Sequence, residues 1–144
     1  MNADFRRIWI PQEKTQDKPI RLIVAGSRWI LDFQLCEREI QTALREWGFT
    51  EDQIISVVSG GARGPDTLGE RWAERQGITV EKFIPDWNKH GKAAGHIRNR
   101  EMAAHAAPYG GCVILWDGQS KGSKGMIKAA RKQRLWLSVV FVGK

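Results

Sequence analysis

The run SGGARGPDT, Ser59 to Thr67, sets Ser59, Gly60, Gly61, Ala62, Arg63 and Gly64 between an apolar stretch ending at Val58 and an amphipathic one opening at Pro65. Glycine lets a backbone come close to an anion and adopt positive φ, while proline is pre-set for the first helical turn, where amides are free to donate. The chemistry on offer is a phosphate cradle at a strand-to-helix turn, and a nucleotide-like ligand is expected. Arg63 either closes over that phosphate or stands in solvent. Asp66 either faces the ligand or serves as an N-terminal helix residue favoured by the dipole.

Two more loops carry similar chemistry. Gly26, Ser27, Arg28 and Trp29 follow the apolar run IRLIVA, and Arg28 could grip phosphate through its planar fork. Trp116, Asp117, Gly118, Ser120, Lys121, Gly122 and Ser123 follow the run CVIL. Trp87 and Trp116, with Trp29, lie where an indole could stack on a base or shield the core's edge.

Other chemistries find no support. His90, His96 and His105 lack metal-ligand spacing, and Cys36 and Cys112 lie far apart with no CxxC pattern, so no metal is expected. There is no GxSxG elbow, and Gly64 is followed by Pro and Asp where a nucleoside triphosphatase loop has Lys and Ser or Thr. The serines read as phosphate or turn hydrogen bonders.

The elements that must position these loops alternate. Strands are expected at Ile20–Gly26, Ile54–Val58, Ile78–Ile84, Cys112–Trp116 and Trp136–Val142. Helices are expected after Asp32 as far as Gly48, and at Pro65–Gln76, Gly95–Ala107 and Met126–Gln133. Apolar strands separated by helices predict a single α/β domain, residues 20–144, with a Rossmann-like parallel sheet of about five strands covered on both faces. Ligands of such sheets bind beyond the carboxyl ends of the strands, where the three loops gather. Residues 1–19 read as a polar arm with one extended piece, able to pack on a subunit partner.

The chain has 144 residues and a net charge of +7, enough length for a core without staples and a charge that suits an anionic partner. The basic residues of the last third, Lys121, Lys124, Lys128, Arg131, Lys132 and Arg134, read as a solvated helix face. With no apolar signal core and no long uncharged run, a soluble cytoplasmic protein without a membrane partner is expected.

Four ordered segments carry a resemblance: GSR at Gly26–Arg28, SGGARGPD at Ser59–Asp66, PDW and HGKAAG with the RNREM helix start within Pro85–Met102, and WDGQSKGS at Trp116–Ser123. Together they resemble the SLOG superfamily of LOG- and DprA-like Rossmannoid proteins, and within it the small YspA-like branch, over about Arg21 to Val142. The resemblance implies a domain that binds nucleotides or nucleotide-derived molecules, often as a homodimer. It also implies that the helix start carrying Arg98, Asn99 and Met102 faces the pocket, Arg98 toward phosphate, Asn99 toward ribose or base, and Met102 as wall.

Some relatives are cytokinin-activating hydrolases of nucleoside monophosphates, others bind single-stranded DNA, and others sense ADP-ribose-like or cyclic signals. The hydrolases take a catalytic glutamate from PGGxGTxxE, whereas the corresponding stretch here, Asp117 to Ala130, has lysines and no glutamate. Asp66, Asp117 or Glu101 could substitute, and no catalytic residue is assigned. The expected function is therefore to sense or sequester a nucleotide or nucleotide-derived small molecule, with no cofactor and with further copies of the chain as partners in a homodimer or higher homo-oligomer. A nucleoside 5′-monophosphate N-glycosidase is the alternative, and single-stranded nucleic-acid binding a further one.

Overall fold

A computed structural model describes residues 3–9 and 18–143. In chain order the strands are β1 (Ala3–Trp9), β2 (Ile20–Gly26), β3 (Ile54–Ser59), β4 (Thr79–Lys82), β5 (Gly111–Trp116) and β6 (Trp136–Val142). The helices are α1 (Phe33–Trp47), α2 (Pro65–Gln76), the short α3 (Trp87–His90), α4 (Ala94–Ala106) and α5 (Lys121–Lys132). Strands β2 to β6 form the expected parallel sheet, in the order β6-β5-β2-β3-β4. The arm's extended piece is β1, which pairs antiparallel with β6 of its own chain, Arg6 opposite Val140, and so adds a sixth strand at the edge.

The strands are apolar throughout because both faces are covered. Along β2, Leu22 and Val24 enter one core with Trp47 of α1 and Trp72 of α2, while Ile23 and Ala25 enter a second with Met102 of α4 and Met126 of α5. Side chains alternate across a strand, so one apolar run serves two layers. Trp47, Trp72 and Trp136 are buried in the first core, as expected. The chain winds outward from β2 through β3 and β4, then returns to place β5 and β6 on β2's other side. Between β2 and β5 the helical layers therefore diverge to opposite faces, opening a crevice at the strands' carboxyl ends.

Three expectations are corrected. The third parallel strand is Thr79–Lys82, shorter at both ends than 78–84. The stretch from Pro85 to Gly95, which the sequence reads as a long connection, is not all loop, because Asp86 caps α3 by accepting from the Lys89 amide at 3.1 Å. The last helix begins at Lys121, five residues before Met126, with Ser120 as its N-cap accepting from the Ser123 amide. Gly125 reads as loop in the sequence but is a packing residue, since a Cβ there would lie 3.2 Å from Nδ1 of His96 on α4. The basic residues of α5 are exposed, while Ser123, Met126, Ala129 and Ala130 face inward.

Candidate functional site

The crevice at the β2–β5 divergence is a cavity of about 360 Å³. Its walls come from four segments: Ala25 to Trp29 after β2, Ala62 and Asp66 after β3, Arg98, Asn99 and Met102 on α4, and Asp117 to Met126 around the start of α5. Gly26, Ser27, Arg28, Ala62, Asp66, Arg98, Asn99, Met102, Asp117, Ser120, Gly122 and Ser123 are thus brought together from distant parts of the chain.

Ser59, Gly60, Gly61, Arg63, Gly64, Trp87, Trp116, Gly118 and Lys121 do not line it. Each has another setting. Ser59 is buried and donates to Oε2 of Glu70 at 2.6 Å. Arg63, Gly118 and Lys121 are exposed, Trp87 is 55% exposed, and Trp116 packs at a tilt against Phe141 while its Nε1 donates to the Ser120 carbonyl at 3.0 Å. Ala25 and Met126 line the cavity although they were not singled out. Both belong to the apolar pattern of their elements, and apolar floor residues carry no signal that separates them from core.

The two loops at the divergence are stitched to each other. The Ser27 amide donates to the Leu115 carbonyl at 2.9 Å, and the Asp117 amide donates to Ser27 Oγ at 3.0 Å. Gly26 permits this approach, since a Cβ on it would lie 2.0 Å from the Leu115 carbonyl oxygen. Trp29 Nε1 donates to Asp117 Oδ2 at 2.8 Å, while Oδ1 accepts the amides of Gln119 at 2.8 Å and Ser120 at 2.9 Å. Burial alone would push the Asp117 carboxyl up, but the bonds from Trp29, Ser120, Gln119 and Ser27 outweigh it and hold it at about 2. Asp117 is therefore a clasp that fixes Trp29 at the crevice, its oxygens already supplied with donors.

The glycine turn is also furnished from within. Its Gly61 amide donates to Ser59 Oγ at 3.1 Å, its Ala62 amide donates to Asp66 Oδ2 at 3.3 Å, and the Gly60 amide also supports the Asp66 carboxylate. Arg98 closes the turn from the far side, its Nη1 donating to the carbonyls of Gly60 at 2.6 Å and Phe83 at 3.3 Å and its Nε to Asn99 Oδ1 at 3.0 Å. Asn99 Nδ2 in turn donates to the Gly122 carbonyl at 3.2 Å, tying α4 to the start of α5. The amides of Gly60, Gly61 and Ala62 are thus already engaged within the fold. Asp66 takes up those of Gly60 and Ala62, and the open space lies beside it, between Arg98 and Arg28.

The electrostatics of this space follow from the two guanidiniums. Arg98 is held below its usual range, first by burial and also by the like charge of Arg28, with Asp66 opposing. Asp66 is 5% exposed, and burial pushes its carboxyl up to about 6 against the pull of the Ala62 amide, Arg98 and the Gly60 amide. Arg28 is exposed and engages no carboxylate among the described residues. Met102 and Met126 supply an apolar floor from α4 and α5. The arrangement suits a small molecule with an anionic end and a flat or apolar end.

Among the described residues no cluster of His, Cys, Asp or Glu is arranged to hold a metal ion, and no helix is long and apolar enough to cross a membrane.

Comparison with known proteins agrees with the motifs. The model of the YspA, cpYpsA-related SLOG family matches residues 20–90, which hold β2 to β4 and the loops bearing Arg28 and Asp66. The Gene 61 protein of Mycobacterium phage D29 is 33% identical over 117 residues, covering 78% of this chain and 89% of that protein. No solved structure matches significantly.

Proposed function

The chain belongs to the YspA, cpYpsA-related SLOG family, and from that premise we propose that the crevice captures a nucleotide or nucleotide-derived molecule, such as an ADP-ribose-like or cyclic nucleotide, to sense or sequester it. One observation carries the reading: Arg28 and Arg98, from different elements, line one cavity, and Arg28 engages no carboxylate among the described residues. An arginine with no carboxylate partner, set beside a second one above an apolar floor, suits an anion, and a guanidinium fork meets phosphate oxygens in pairs. The phosphate end goes between Arg28 and Arg98, beside Ser120 and Ser123. The flat end lies over Met102 and Met126 with Trp29 along its edge.

A second reading, hydrolysis of a nucleoside 5′-monophosphate at its N-glycosidic bond, draws on Asp66, a carboxyl on the crevice wall raised to about 6 and so able to give up a proton near neutrality. Release of free base from a monophosphate, lost in Asp66→Asn, would establish it.

Native mass spectrometry of freshly purified protein, followed by denaturation, tests the binding reading. The expected result is a co-purifying phosphorylated small molecule that Arg28→Ala releases. A wild-type protein that holds none, and that binds no member of a panel of mono-, di- and cyclic nucleotides, overturns it.

A further inference from the structure

The turn that the sequence presents as a phosphate cradle already contains an anion. Asp66 Oδ2 lies 3.3 Å from the Ala62 amide nitrogen, the Gly60 amide supports the same carboxylate, and Arg98 supplies its countercharge. These are the donors an oxyanion would use, and both Asp66 and Ala62 line the cavity. Resting on the binding reading above, we propose that the Asp66 carboxylate is a resident stand-in for the ligand's anionic group, so that an oxyanion enters the crevice together with one proton, which is taken up by Asp66.

The balance of charge explains why the proton must come too. An ionised Asp66 and a ligand dianion would share Arg98, and two negative groups at one site cannot both stay charged without cost. Neutral Asp66 releases the loop amides and the guanidinium, and its O–H becomes a donor to the incoming oxyanion. No bond is made or broken except that to the proton, which comes from solvent.

The groups around Asp66 allow this. From α4 it meets Arg98, whose nearest like charge is Arg28 of the loop after β2. From its own helix it meets Glu70, which adds a repulsive charge but is itself tied to Lys82 at 3.3 Å and to Ser59. From β5 the nearest titratable group is Cys112, and complete burial keeps its thiol neutral. Burial has already pushed Asp66 up to about 6, within reach of neutral solution.

Sulfate is the probe of choice because it stays a dianion throughout the range. Titration calorimetry at pH 5 and pH 8 should show binding weakened up to about 90-fold at the higher pH, the ratio of neutral Asp66 at the two values for a carboxyl titrating at about 6. Repeating the pH 8 titration in buffers of different ionisation enthalpy should show close to one proton taken up per sulfate. Asp66→Asn should bind at pH 8 as wild type binds at pH 5, without the slope. The proton count uses wild-type protein alone and decides the matter even if the variant does not fold. Sulfate bound equally at both pH values with no proton uptake overturns the inference and leaves the binding reading standing. No sulfate bound by either chain at either pH overturns both.

Discussion

Arg28 and Arg98 share a cavity but should answer differently to removal. Arg28 is exposed at the mouth, with no carboxylate partner among the described residues, so Arg28→Ala deletes a ligand contact and little else. A hydrogen bond to a charged group contributes roughly 1.5–3 kcal/mol, and exposure favours the low end, so affinity for a phosphorylated ligand should fall about tenfold. The melting temperature should move by less than about 2 °C, as for other surface substitutions. Arg98 instead braces the fold, through the Gly60 carbonyl at 2.6 Å, the Phe83 carbonyl at 3.3 Å and the charge of Asp66. Arg98→Ala leaves a buried carboxylate without its countercharge, a loss of roughly 3–5 kcal/mol that should lower the melting temperature by about 10 °C. Differential scanning calorimetry beside ligand titration separates the two. Arg28→Ala with wild-type affinity, or Arg98→Ala with wild-type melting, would refute this division of labour.

Other substitutions test the walls. Asp117→Asn turns an N–H toward the Trp29 N–H, which should cost roughly 1–3 kcal/mol and shift tryptophan emission to longer wavelength, while an unchanged spectrum would deny the clasp. Gly26→Ala would set a Cβ 2.0 Å from the Leu115 carbonyl oxygen and force β2 from β5, and denaturant unfolding should register a loss of roughly 1–3 kcal/mol. The pH dependence of stability has a definite sign. The folded-state value of Asp66 is raised from 3.8 to about 6, so its contribution is fully present below 3.8 and is lost as pH rises through 6, roughly 3 kcal/mol in all. Asp117 runs the other way, its contribution present above 3.8 and lost as pH falls through about 2. Subtracting the Asp66→Asn stability profile from that of wild type should isolate the first slope, and a flat difference between pH 4 and 7 would contradict it.

The parallel architecture was legible because strands buried on both faces must be apolar throughout, and Asp32, Gly48, Pro65 and Gly77 mark helix ends in ways that local chemistry dictates. The start of α5 was not, because Gly122 and Gly125 argue locally for loop, whereas Gly125 is set by the approach of His96 and Asn99 from a helix more than twenty residues away. The strand of the arm was legible as an extended piece, but its partner was not, since pairing with β6 is a long-range event that polar composition does not encode. Arg28, Arg98, Asn99 and Ser123 could be named from motifs, yet what Arg98 holds depends on carbonyls at 60 and 83 that any sequence would supply.

The glycine at position 60 shows why motif and mechanism part company. Read as sequence, it is absent a side chain so that a ligand's phosphate can come near. In the fold, a Cβ there would lie 2.5 Å from Arg98 Nη1 and 2.8 Å from Asp66 Oδ2, so the bare backbone makes room for the protein's own arginine and carboxylate. The same loop chemistry that favours a bound anion favours an internal one, and a carboxylate two residues into the following helix reaches it without losing the translational and rotational entropy that a separate ligand loses on binding. A ligand for this crevice therefore has to compete with Asp66 rather than fill a vacancy, and the strength of that competition is set by whatever controls the charge on that one side chain.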